Sequence, residues 1–408
     1  MKCSLIVCCH DGFFTQYCGV GTAARKTVDA LRTLRRRGAL AGVRLDFIGP
    51  ALRADSPSYD AAYSRDLQTF ARATGGKLHA VRVARGPLPK DLSKLWGPKQ
   101  WRVAAEAAAD VIRSIPAERK IFFAHDIFFG QLCAEIPRDQ GTIGCYVPHS
   151  TGKLFREPIR LKVERRIHGS LVSSKHFVGA INLFMRRHLE RDYRIPRGRF
   201  IPLTYALTER DLALRKTRRA LPADVRRRTD GKRIIFSYGR CGRQKGYHVL
   251  LPAFRRFVQE HPEYHLVLLA PTDITGAHYR RLIAGQLRTL PPQSATWVQT
   301  FSDPLPYLQS PRTHILAFSS LFECAPFTPL EALAYAPHTT ILHSGIPPYE
   351  EVFRAGEGAV RAGTSVRTWA SALARVVMSP KHRVRQRERE TYERHLLHAL
   401  RTLDHALH

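Results

Sequence analysis

Two glutamates, Glu323 and Glu331, stand in the short stretch FECAPFTPLEALA, and their carboxylates could bind the hydroxyl groups of a sugar or a ribose. A carboxylate accepts hydrogen bonds on both oxygens, which suits a vicinal diol. The run HILAFSS before them has the composition of a buried strand, and LEALAYA after them has the spacing of a helix. We therefore predict that Glu323 lies in a loop at the carboxyl end of a strand. Glu331 should lie in the first turn of the next helix, where the helix dipole stabilises an acid and open α/β sheets bind ligands. The alternative is a solvated loop glutamate followed by a helix-capping one.

A second candidate motif lies upstream, in KRIIFSYGRCGRQKGYHVLLPAF. A β-rich run ends at Gly239 and Arg240, and Lys245 and Gly246 precede a helix. Glycines let the backbone approach a ligand closely, and the guanidinium fork and the ammonium group suit a diphosphate. Surface cations are abundant in this chain, so the turn by itself is a weak phosphate signal. The glutamate pair makes it a stronger one.

Together the two motifs resemble the donor-binding domain of retaining glycosyltransferases of family 4, the glycosyl transferases group 1, which have the GT-B fold. In that family a GR-x4-KG turn and an E-x7-E element hold a nucleotide sugar. The resemblance covers most of the chain and includes the segment SGIPPYEEV. It implies that Arg240 and Lys245 neutralise the donor diphosphate, that Glu323 contacts the transferred sugar, and that Glu331 holds the ribose hydroxyls. The residues it assigns to donor binding in this half are Gly239, Arg240, Lys245, Ser320, Phe327 and Glu331.

One departure from the family concerns the residues after Glu323. The family has a Gly-Phe-Gly-like run there, whereas this chain has Cys324, Ala325, Pro326 and Phe327. Pro326 has no N–H to donate to a phosphate or sugar oxygen. We therefore expect the contacts on the sugar side to differ from those of the family.

The amino-terminal half begins with a predicted strand, SLIVCC, followed by a loop and by Gly19-Val20-Gly21 at the start of the helix TAARKTVDALRTLRRRG. In the resembling family such a loop lines the cleft near the diphosphate, which implies donor contacts for Gly19 and Gly21. The alternative is that the glycines only permit a turn. The string also satisfies G-x-G-x-x-A, and with Asp46 as a ribose acid it would indicate an NAD(P)-dependent oxidoreductase. Against this, roughly ten residues separate the strand from the glycines, whereas the dinucleotide fingerprint requires a tight turn directly after the strand.

Two histidines follow apolar β-like runs, His125 in KIFFAHDIFFG and His149 in TIGCYVPHSTGKLF. This is where α/β folds place functional loops. The stretch from Tyr146 to Lys153 resembles the family segment whose histidine reaches the reacting sugar. The resemblance implies that His149 orients the sugar hydroxyl and the β-phosphate and is not a nucleophile. His125 is the weaker candidate, and Asp126 beside it could be a helix N-cap. The predicted catalytic residues are His149, Arg240, Lys245 and Glu323.

The length of 408 residues exceeds a single comfortable core and predicts two domains. Apolar runs alternate with helical patterns, which indicates an α/β protein with parallel sheets covered by helices. In the resembling fold, two Rossmann-like doubly wound domains face each other across a cleft. We predict an acceptor-binding domain over residues 1–205 and a nucleotide-sugar-binding domain over residues 206–379. Residues 380–408 should form a charged helix that packs back toward the first domain, with Leu396, Leu397, Leu400 and Leu403 on one face.

The cysteines and the hydropathy pattern predict a cytoplasmic protein. None of the eight cysteines forms a C-x-x-C pair, so they are interpreted as buried reduced thiols. No apolar run is long enough to span a bilayer. The sequence has no Asp-x-Asp motif, so no metal and no cofactor is predicted. The nucleoside-diphosphate sugar would be a substrate.

The charge of the chain is strongly positive, with 65 Lys and Arg against 34 Asp and Glu, a formal net charge of +31. A field of this size favours a polyanionic partner: an anionic membrane, a nucleic acid or an acidic glycan. Aromatic residues rarely interleave with the cations as base stacking would require, so a membrane or glycolipid is preferred over nucleic acid. The alternative is a solvated face with no partner. The basic clusters are residues 32–37, 156–166, 186–199 and 215–228.

The predicted function is transfer of a sugar, with retention, from a nucleoside-diphosphate sugar to an acceptor hydroxyl on an anionic glycolipid or glycan precursor. The enzyme would lie in the cytoplasm or against the inner face of the membrane. The alternatives are a glycosyltransferase acting on nucleic acid or on a small natural product, the oxidoreductase, and a non-catalytic nucleic-acid-binding protein.

Overall fold

The computed structural model describes residues 3–15, 18–56, 58–84, 87–90, 92–139, 141–174, 176–271, 277–353, 358–378 and 390–407. It divides the chain into two compact units, Met1–Glu209 with Glu390–His408, and Arg210–Arg389. The division falls after Glu209, whereas the sequence analysis placed a domain boundary at Tyr205. The segment from residue 390 onward belongs to the first unit.

The first unit is built on a parallel sheet of seven strands. Its strands are β1 (Cys3–Cys8), β2 (Arg44–Pro50), β3 (Leu78–Val81), β4 (Arg119–His125), β5 (Thr142–Val147), β6 (Phe177–Ala180) and β7 (Phe200–Pro202). They lie in the order β3-β2-β1-β4-β5-β6-β7. The chain thus winds outward from β1 to one edge and then from β4 to the other, which is the doubly wound topology.

The helices of the first unit connect these strands. They are α1 (Gly19–Arg36), α2 (Ala61–Arg72), α3 (Pro98–Ser114), α4 (Asp126–Gly130), α5 (Leu132–Glu135), α6 (Gly152–Phe155), α7 (Pro158–Ser173) and α8 (Leu183–Tyr193), with short 3₁₀ helices at Leu92–Leu95 and Arg197–Arg199. Local polar residues begin several of them. Asp60 accepts a hydrogen bond from the backbone N–H of Tyr63 at the start of α2, and Asn182 does the same for Met185 at the start of α8.

The second unit repeats the topology with six parallel strands. Its helices are α9 (Glu209–Ala213, which begins at the boundary), α10 (Ala223–Arg228), α11 (Tyr247–Glu260), α12 (Ala277–Arg288), α13 (Leu305–Leu308), α14 (Thr328–Tyr335), α15 (Pro347–Val352) and α16 (Val366–Met378), with 3₁₀ helices at Leu214–Lys216 and Arg243–Lys245. Its strands are β8 (Arg233–Tyr238), β9 (Tyr264–Leu269), β10 (Ala295–Val298), β11 (Thr313–Phe318), β12 (Thr340–His343) and β13 (Ala359–Arg361), in the order β10-β9-β8-β11-β12-β13.

The sequence patterns explain these elements. A parallel strand covered by helices on both faces is apolar throughout, and β9, YHLVLL, is buried at every position. Helix α11 buries Leu250, Leu251 and Phe254 at helical spacing. Its internal Pro252 has no N–H to donate to the carbonyl of His248, and the side chain of Gln286 in α12 donates to that carbonyl instead, at 3.3 Å.

The last helix, α17 (Tyr392–Leu407), completes the first unit. Tyr392, Leu396, Leu400 and Leu403 are buried, whereas Leu397 is half-buried. The hydroxyl of Tyr392 lies 3.1 Å from that of Thr27 in α1. Of the predicted charged helix over residues 380–408, residues 380–389 and 408 lie outside the described residues.

Candidate active site

The two motifs of the second unit flank the point where its strand order reverses. Strands β8 and β11 are neighbours, β9 follows on one side of them and β12 on the other. Gly239 and Arg240 follow β8, and Ser319 and Ser320 follow β11. In open α/β sheets, ligands bind at the carboxyl ends of the strands at this switch point.

Two glycines shape the loop after β8. Gly239 and Gly246 have φ values of 139° and 67°, which non-glycine residues rarely adopt. A Cβ on Gly246 would lie 2.0 Å from the carbonyl oxygen of Ser319, so glycine allows the two loops to touch. Ser319 Oγ donates to the carbonyl of Lys245 at 2.8 Å, and the N–H of Leu321 donates to the carbonyl of Gln244 at 2.7 Å. These bonds hold the loops after β8 and β11 together.

Lys245 and Glu323 meet between these loops. Lys245 Nζ lies 2.5 Å from Glu323 Oε1, and only 13% and 11% of the two side chains are exposed. Ser320 Oγ donates to the same carboxylate oxygen at 2.9 Å and accepts from the hydroxyl of Tyr349 at 2.9 Å. The sequence analysis assigned Lys245 to the diphosphate and Glu323 to the sugar. In this structure the two side chains are partners in one shielded ion pair.

Glu331 lies in the first turn of α14, and Glu323 lies in the loop after β11, as their spacing predicted. Glu331 is half-buried, and its Oε2 accepts a hydrogen bond of 3.1 Å from the hydroxyl of Tyr238. Tyr238 also donates to the carbonyl of Thr328 at 2.9 Å. Burial, with Glu331 nearby, raises the pKa of Tyr238 well above its usual value, so the phenol remains a donor. Tyr238 thereby fixes the orientation of Glu331.

The other predicted donor residues lie on the same two loops. Arg240 is half-buried directly after Gly239, and Phe327 is the N-cap residue of α14. Cys324 is buried next to Glu323, with the half-buried Pro326 two positions later. All the residues predicted to bind the donor in this half of the chain therefore lie between β8 and α11 or between β11 and the first turn of α14, in one unit.

In the first unit, Gly19 and Gly21 form the first turn of α1. The carboxylate of Asp11 accepts hydrogen bonds from the N–H groups of Gly12 and Cys18. A Cβ on Gly21 would lie 2.3 Å from Asp11 Oδ2, whereas a Cβ on Gly19 would meet nothing within 4 Å. Gly21 is thus required for packing against Asp11.

Asp46 is not placed as a ribose acid, which removes one of the two features that favoured a dinucleotide-binding site. It lies inside β2 and is fully buried, and does not follow the end of the strand. Its carboxylate accepts bonds from Ser4, Arg44 and the N–H of Lys77, and it lies 3.0 Å from His79 Nε2. Burial opposes ionisation of Asp46, but the hydrogen bonds and charges of His79 and Arg44 lower its pKa, so it is a structural carboxylate.

His125 and His149 are brought together after the adjacent strands β4 and β5. His125 Nδ1 lies 2.9 Å from His149 Nε2, and the hydroxyl of Tyr205 lies 3.0 Å from that same nitrogen of His149. Burial lowers the pKa of His149 to about 3 and that of His125 well below its usual value. Both rings are therefore neutral at physiological pH, and can donate or accept hydrogen bonds.

Several side chains in this region were missed by the sequence analysis. It proposed Asp126 as an N-cap, but His125 is the N-cap residue of α4, and the Asp126 carboxylate accepts a bond from Arg160. Tyr205 was taken only as a boundary, and Arg160 as one of many surface cations. His10, two residues after the end of β1, was also missed, and its ring stacks on that of Phe128 in α4 with the centroids 5.3 Å apart. Contacts between residues distant in sequence left no signal in the local pattern.

Neither a membrane-spanning helix nor a metal-binding cluster occurs among the described residues. Among the helices of the described ranges, none is long and apolar enough to cross a membrane. Within the same ranges, no group of three or more His, Cys, Asp or Glu side chains is placed to hold a metal ion. All eight cysteines are thiols, and six of them are buried.

Comparison with known proteins identifies the class. Residues 223–392 match the family model described as glycosyl transferases group 1. The second unit is thus a glycosyl transferases group 1 domain, and the chain has the GT-B fold of the glycosyltransferases it resembles. Comparison with curated proteins gave no match.

Solved structures support the fold along the whole chain. Sucrose-phosphate synthase from Thermosynechococcus elongatus is 16% identical, with a TM-score of 0.67 over 100% of this chain and 96% of that one. A UDP-forming trehalose-phosphate synthase from Burkholderia xenovorans in complex with glucose-6-phosphate is 14% identical, with a TM-score of 0.67 over 99% and 96%. The Anabaena protein HepE in complex with UDP and glucose is 12% identical, with a TM-score of 0.64 over 98% and 95%. At these identities the comparison establishes the fold.

Proposed function

We propose that this glycosyltransferase takes a sugar from a nucleoside-diphosphate sugar and transfers it to an acceptor hydroxyl with retention of configuration and without a metal ion. The observation that carries the proposal is the shielded pair of Lys245 and Glu323 at the switch point of a group 1 domain. Structural relatives that contain UDP or glucose-6-phosphate lend support, as do the positions of Arg240 after β8 and of Glu331 in α14.

The donor diphosphate would bind to the cations of the loop after β8. Lys245 and Arg240 would oppose the negative charge that grows on the leaving diphosphate as the glycosidic bond breaks. Lys245 would then exchange its bond with Glu323 for one with phosphate, and Glu323 would turn its carboxylate to a sugar hydroxyl. Because Tyr238 orients Glu331 at the start of α14, this second carboxylate is suited to the ribose hydroxyls.

The remaining steps follow the family resemblance. The acceptor hydroxyl would attack the face from which the diphosphate departs, with a phosphate oxygen as the base. His149 would orient the sugar hydroxyl and the β-phosphate by hydrogen bonds while the bond between sugar and diphosphate breaks. Because its ring is neutral, it would add no fixed charge. Lys245 and Arg240 would meet the charge of the leaving group, and the proposal therefore includes no metal.

The proposed acceptor is an anionic glycolipid or glycan precursor, bound while the enzyme rests on an anionic membrane. The outward face of α7 supports this, because it combines the cations Lys162, Arg165 and Arg166 with the exposed Ile159 and Val172. Cations near an anionic bilayer contribute about 1 kcal/mol each. We expect the protein to sediment with phosphatidylglycerol vesicles and not with phosphatidylcholine vesicles, and high salt to release it. Equal binding to both, or preferential binding and glycosylation of DNA, would contradict this part.

The donor is tested by a thermal-shift panel of UDP, GDP, ADP, CDP and TDP in the presence of EDTA. One nucleotide should raise the unfolding temperature, since a ligand that binds only the folded state stabilises it. If none does so, the second unit does not bind a nucleoside diphosphate and the proposed donor is wrong.

A further inference from the structure

A buried network of charged groups joins the two loops that carry His125 and His149. Its centre is Arg160 in α7, whose side chain is 5% exposed. One nitrogen, Arg160 Nη2, donates both to Asp126 Oδ1 at 3.0 Å and to the carbonyl oxygen of Ser150 at 2.9 Å. Asp126 directly follows His125, and Ser150 directly follows His149. A single guanidinium group thus contacts the neighbour of each histidine.

The backbone at Asp126 depends on this contact. Asp126 has a φ of 57°, the left-handed region that a non-glycine residue enters at a cost. Its carboxylate is 3% exposed and is held by Arg160. Because His125 ends β4 and Asp126 begins α4 without an intervening residue, the turn at Asp126 sets the direction in which the His125 ring projects.

The loop after β5 is held from its other side by Glu164. Both carboxylate oxygens of Glu164 accept from the N–H of Gly152, at 2.9 and 2.8 Å, and Arg160 Nε donates to Oε1 at 2.7 Å. The hydroxyl of Tyr193 donates to Oε2. A Cβ on Gly152 would lie 2.5 Å from the N–H nitrogen of Leu161, so the loop lies directly against α7. His149 therefore stands in a loop that is fixed on its carboxyl side at both Ser150 and Gly152.

We propose that Arg160, acting through Asp126 and Glu164, is a positioning residue that holds His125 and His149 in register for the transfer step. The proposal rests on the proposed role of His149. The fork of the guanidinium group is essential to it, because an ammonium group cannot present the same planar set of donors to the two loops and to Glu164.

A purely structural role is the alternative explanation. Buried ion pairs add little net stability compared with apolar residues of the same volume, but removing one partner leaves an unpaired charge. The informative variant therefore keeps the charge and changes only the geometry. Arg160→Lys does so. Arg186→Lys is the matched control, because Arg186 and Glu190 form the same four-residue pair on α8 at 3.0 Å, with 43% of the arginine side chain exposed.

The first measurement is the long-range ¹H–¹⁵N spectrum of the histidine rings in the full-length protein, which reports the tautomer and hydrogen bonding of each ring without any activity. In the wild type and in Arg186→Lys, His125 and His149 should give one fixed pair of ring signals, assigned with His125→Gln and His149→Gln. In Arg160→Lys these signals should shift and broaden, while the signals of the distant His265 remain. Unchanged His125 and His149 signals would overturn the proposal, whether or not the donor assignment is right.

The second measurement is steady-state transfer with the nucleotide sugar selected by the thermal-shift panel. Misplacement of a reacting group by about 1 Å can cost on the order of a hundredfold in rate. Arg160→Lys should therefore lower kcat by about that factor, with KM for the donor changed less than about twofold, and Arg186→Lys should resemble wild type. A loss that merely follows the fraction of unfolded protein, with full kcat for each folded molecule, would contradict the proposal. Asp126→Asn, which keeps a side-chain acceptor for Arg160, should show a smaller effect in the same direction. If Arg160→Lys does not fold, Asp126→Asn is measured in its place.

Discussion

Among single residues, Lys245 and Glu323 form the ion pair that donor binding must break. The two side chains are shielded and 2.5 Å apart, so each must exchange its partner for a donor group. The exchange favours the donor only if the diphosphate is a better partner for Lys245 than Glu323, which is reasonable for a group with more charge and more acceptor oxygens.

Removing the ammonium group should therefore affect the reaction more than the fold. We expect Lys245→Ala to lower kcat by about a hundredfold, equivalent to roughly 3 kcal/mol, because the lost charge opposes one that grows in the transition state. Arg243→Ala is the control, since Arg243 is an exposed cation of the same 3₁₀ helix. Turnover of Lys245→Ala near the wild-type value would remove Lys245 from the site.

His168 provides a residue-scale prediction about pH. It is 4% exposed, within the described residues neither ring nitrogen has a hydrogen-bond partner, and burial lowers its pKa to about 3. The unfolded chain then binds this proton at higher pH than the folded protein, so stability is lost as the pH falls from about 6.5 towards 3. The volume-conserving variant His168→Leu should remove about 2 kcal/mol of the loss between pH 7.5 and pH 5.

The measurement is urea unfolding at pH 7.5 and pH 5, with His398→Gln as the exposed control. If the free energy of unfolding of His168→Leu depends on pH as steeply as that of the wild type, His168 is already protonated, or hydrated, in the folded protein.

At the scale of elements, the loop after β8 and the loop after β11 form one structure, because Gly246 permits their contact. Gly246→Ala would place a methyl group 2.0 Å from the carbonyl oxygen of Ser319 at a φ of 67°. We expect a loss of about 1–3 kcal/mol from backbone strain, with a further loss from the displaced loop, and weakened nucleotide binding. In Gly242→Ala the Cβ meets nothing within 4 Å, so stability should change by less than about 0.5 kcal/mol.

Thermal unfolding and nucleotide titration of Gly246→Ala and Gly242→Ala separate the effect of the contact between the loops from the effect of replacing a glycine. If both variants bind nucleotide equally well, the contact between the loops has no part in forming the site.

The elements were more predictable than the side-chain networks between them. Strands such as β9 and β11 are apolar runs because both faces of a parallel sheet are buried, and such runs are visible in the sequence. The placement of Glu331 in the first turn of α14 followed from spacing. Asp126 and Asp46 were misjudged because their partners, Arg160 in α7 and His79 in β3, are distant in sequence. A local pattern cannot report such partners.

At the scale of the whole molecule, the chain returns to complete the first unit after forming the second. Leu403 of helix α17 is completely buried, and Asp404 of the same helix forms a salt bridge of 2.6 Å with Arg119 of β4. The leucine spacing predicted an amphipathic helix, and the resemblance implied where it would pack. The composition of the chain by itself did not predict where this helix packs.

Leu403→Ala should therefore destabilise the first unit by about 2–5 kcal/mol, the usual cost of a cavity in a core. Leu397→Ala, at a half-buried position of the same helix, should cost less. Hydrogen exchange followed by mass spectrometry should show lost protection in α17 and α1, with α11 of the second unit unchanged. Equal loss of protection in both units would mean that they unfold as one.

The proposed function requires that the second unit binds a nucleoside-diphosphate sugar, with Glu331 contacting the ribose hydroxyls and Glu323 contacting the sugar. Calorimetric titration of the selected nucleoside diphosphate and of its sugar conjugate, in EDTA, into wild type, Glu331→Gln and Glu323→Gln tests it directly. Glu331→Gln should weaken both ligands by the same factor, whereas Glu323→Gln should weaken only the sugar conjugate. Equal losses for both ligands in both variants, or no binding of any nucleoside diphosphate to the wild type, would contradict the claim.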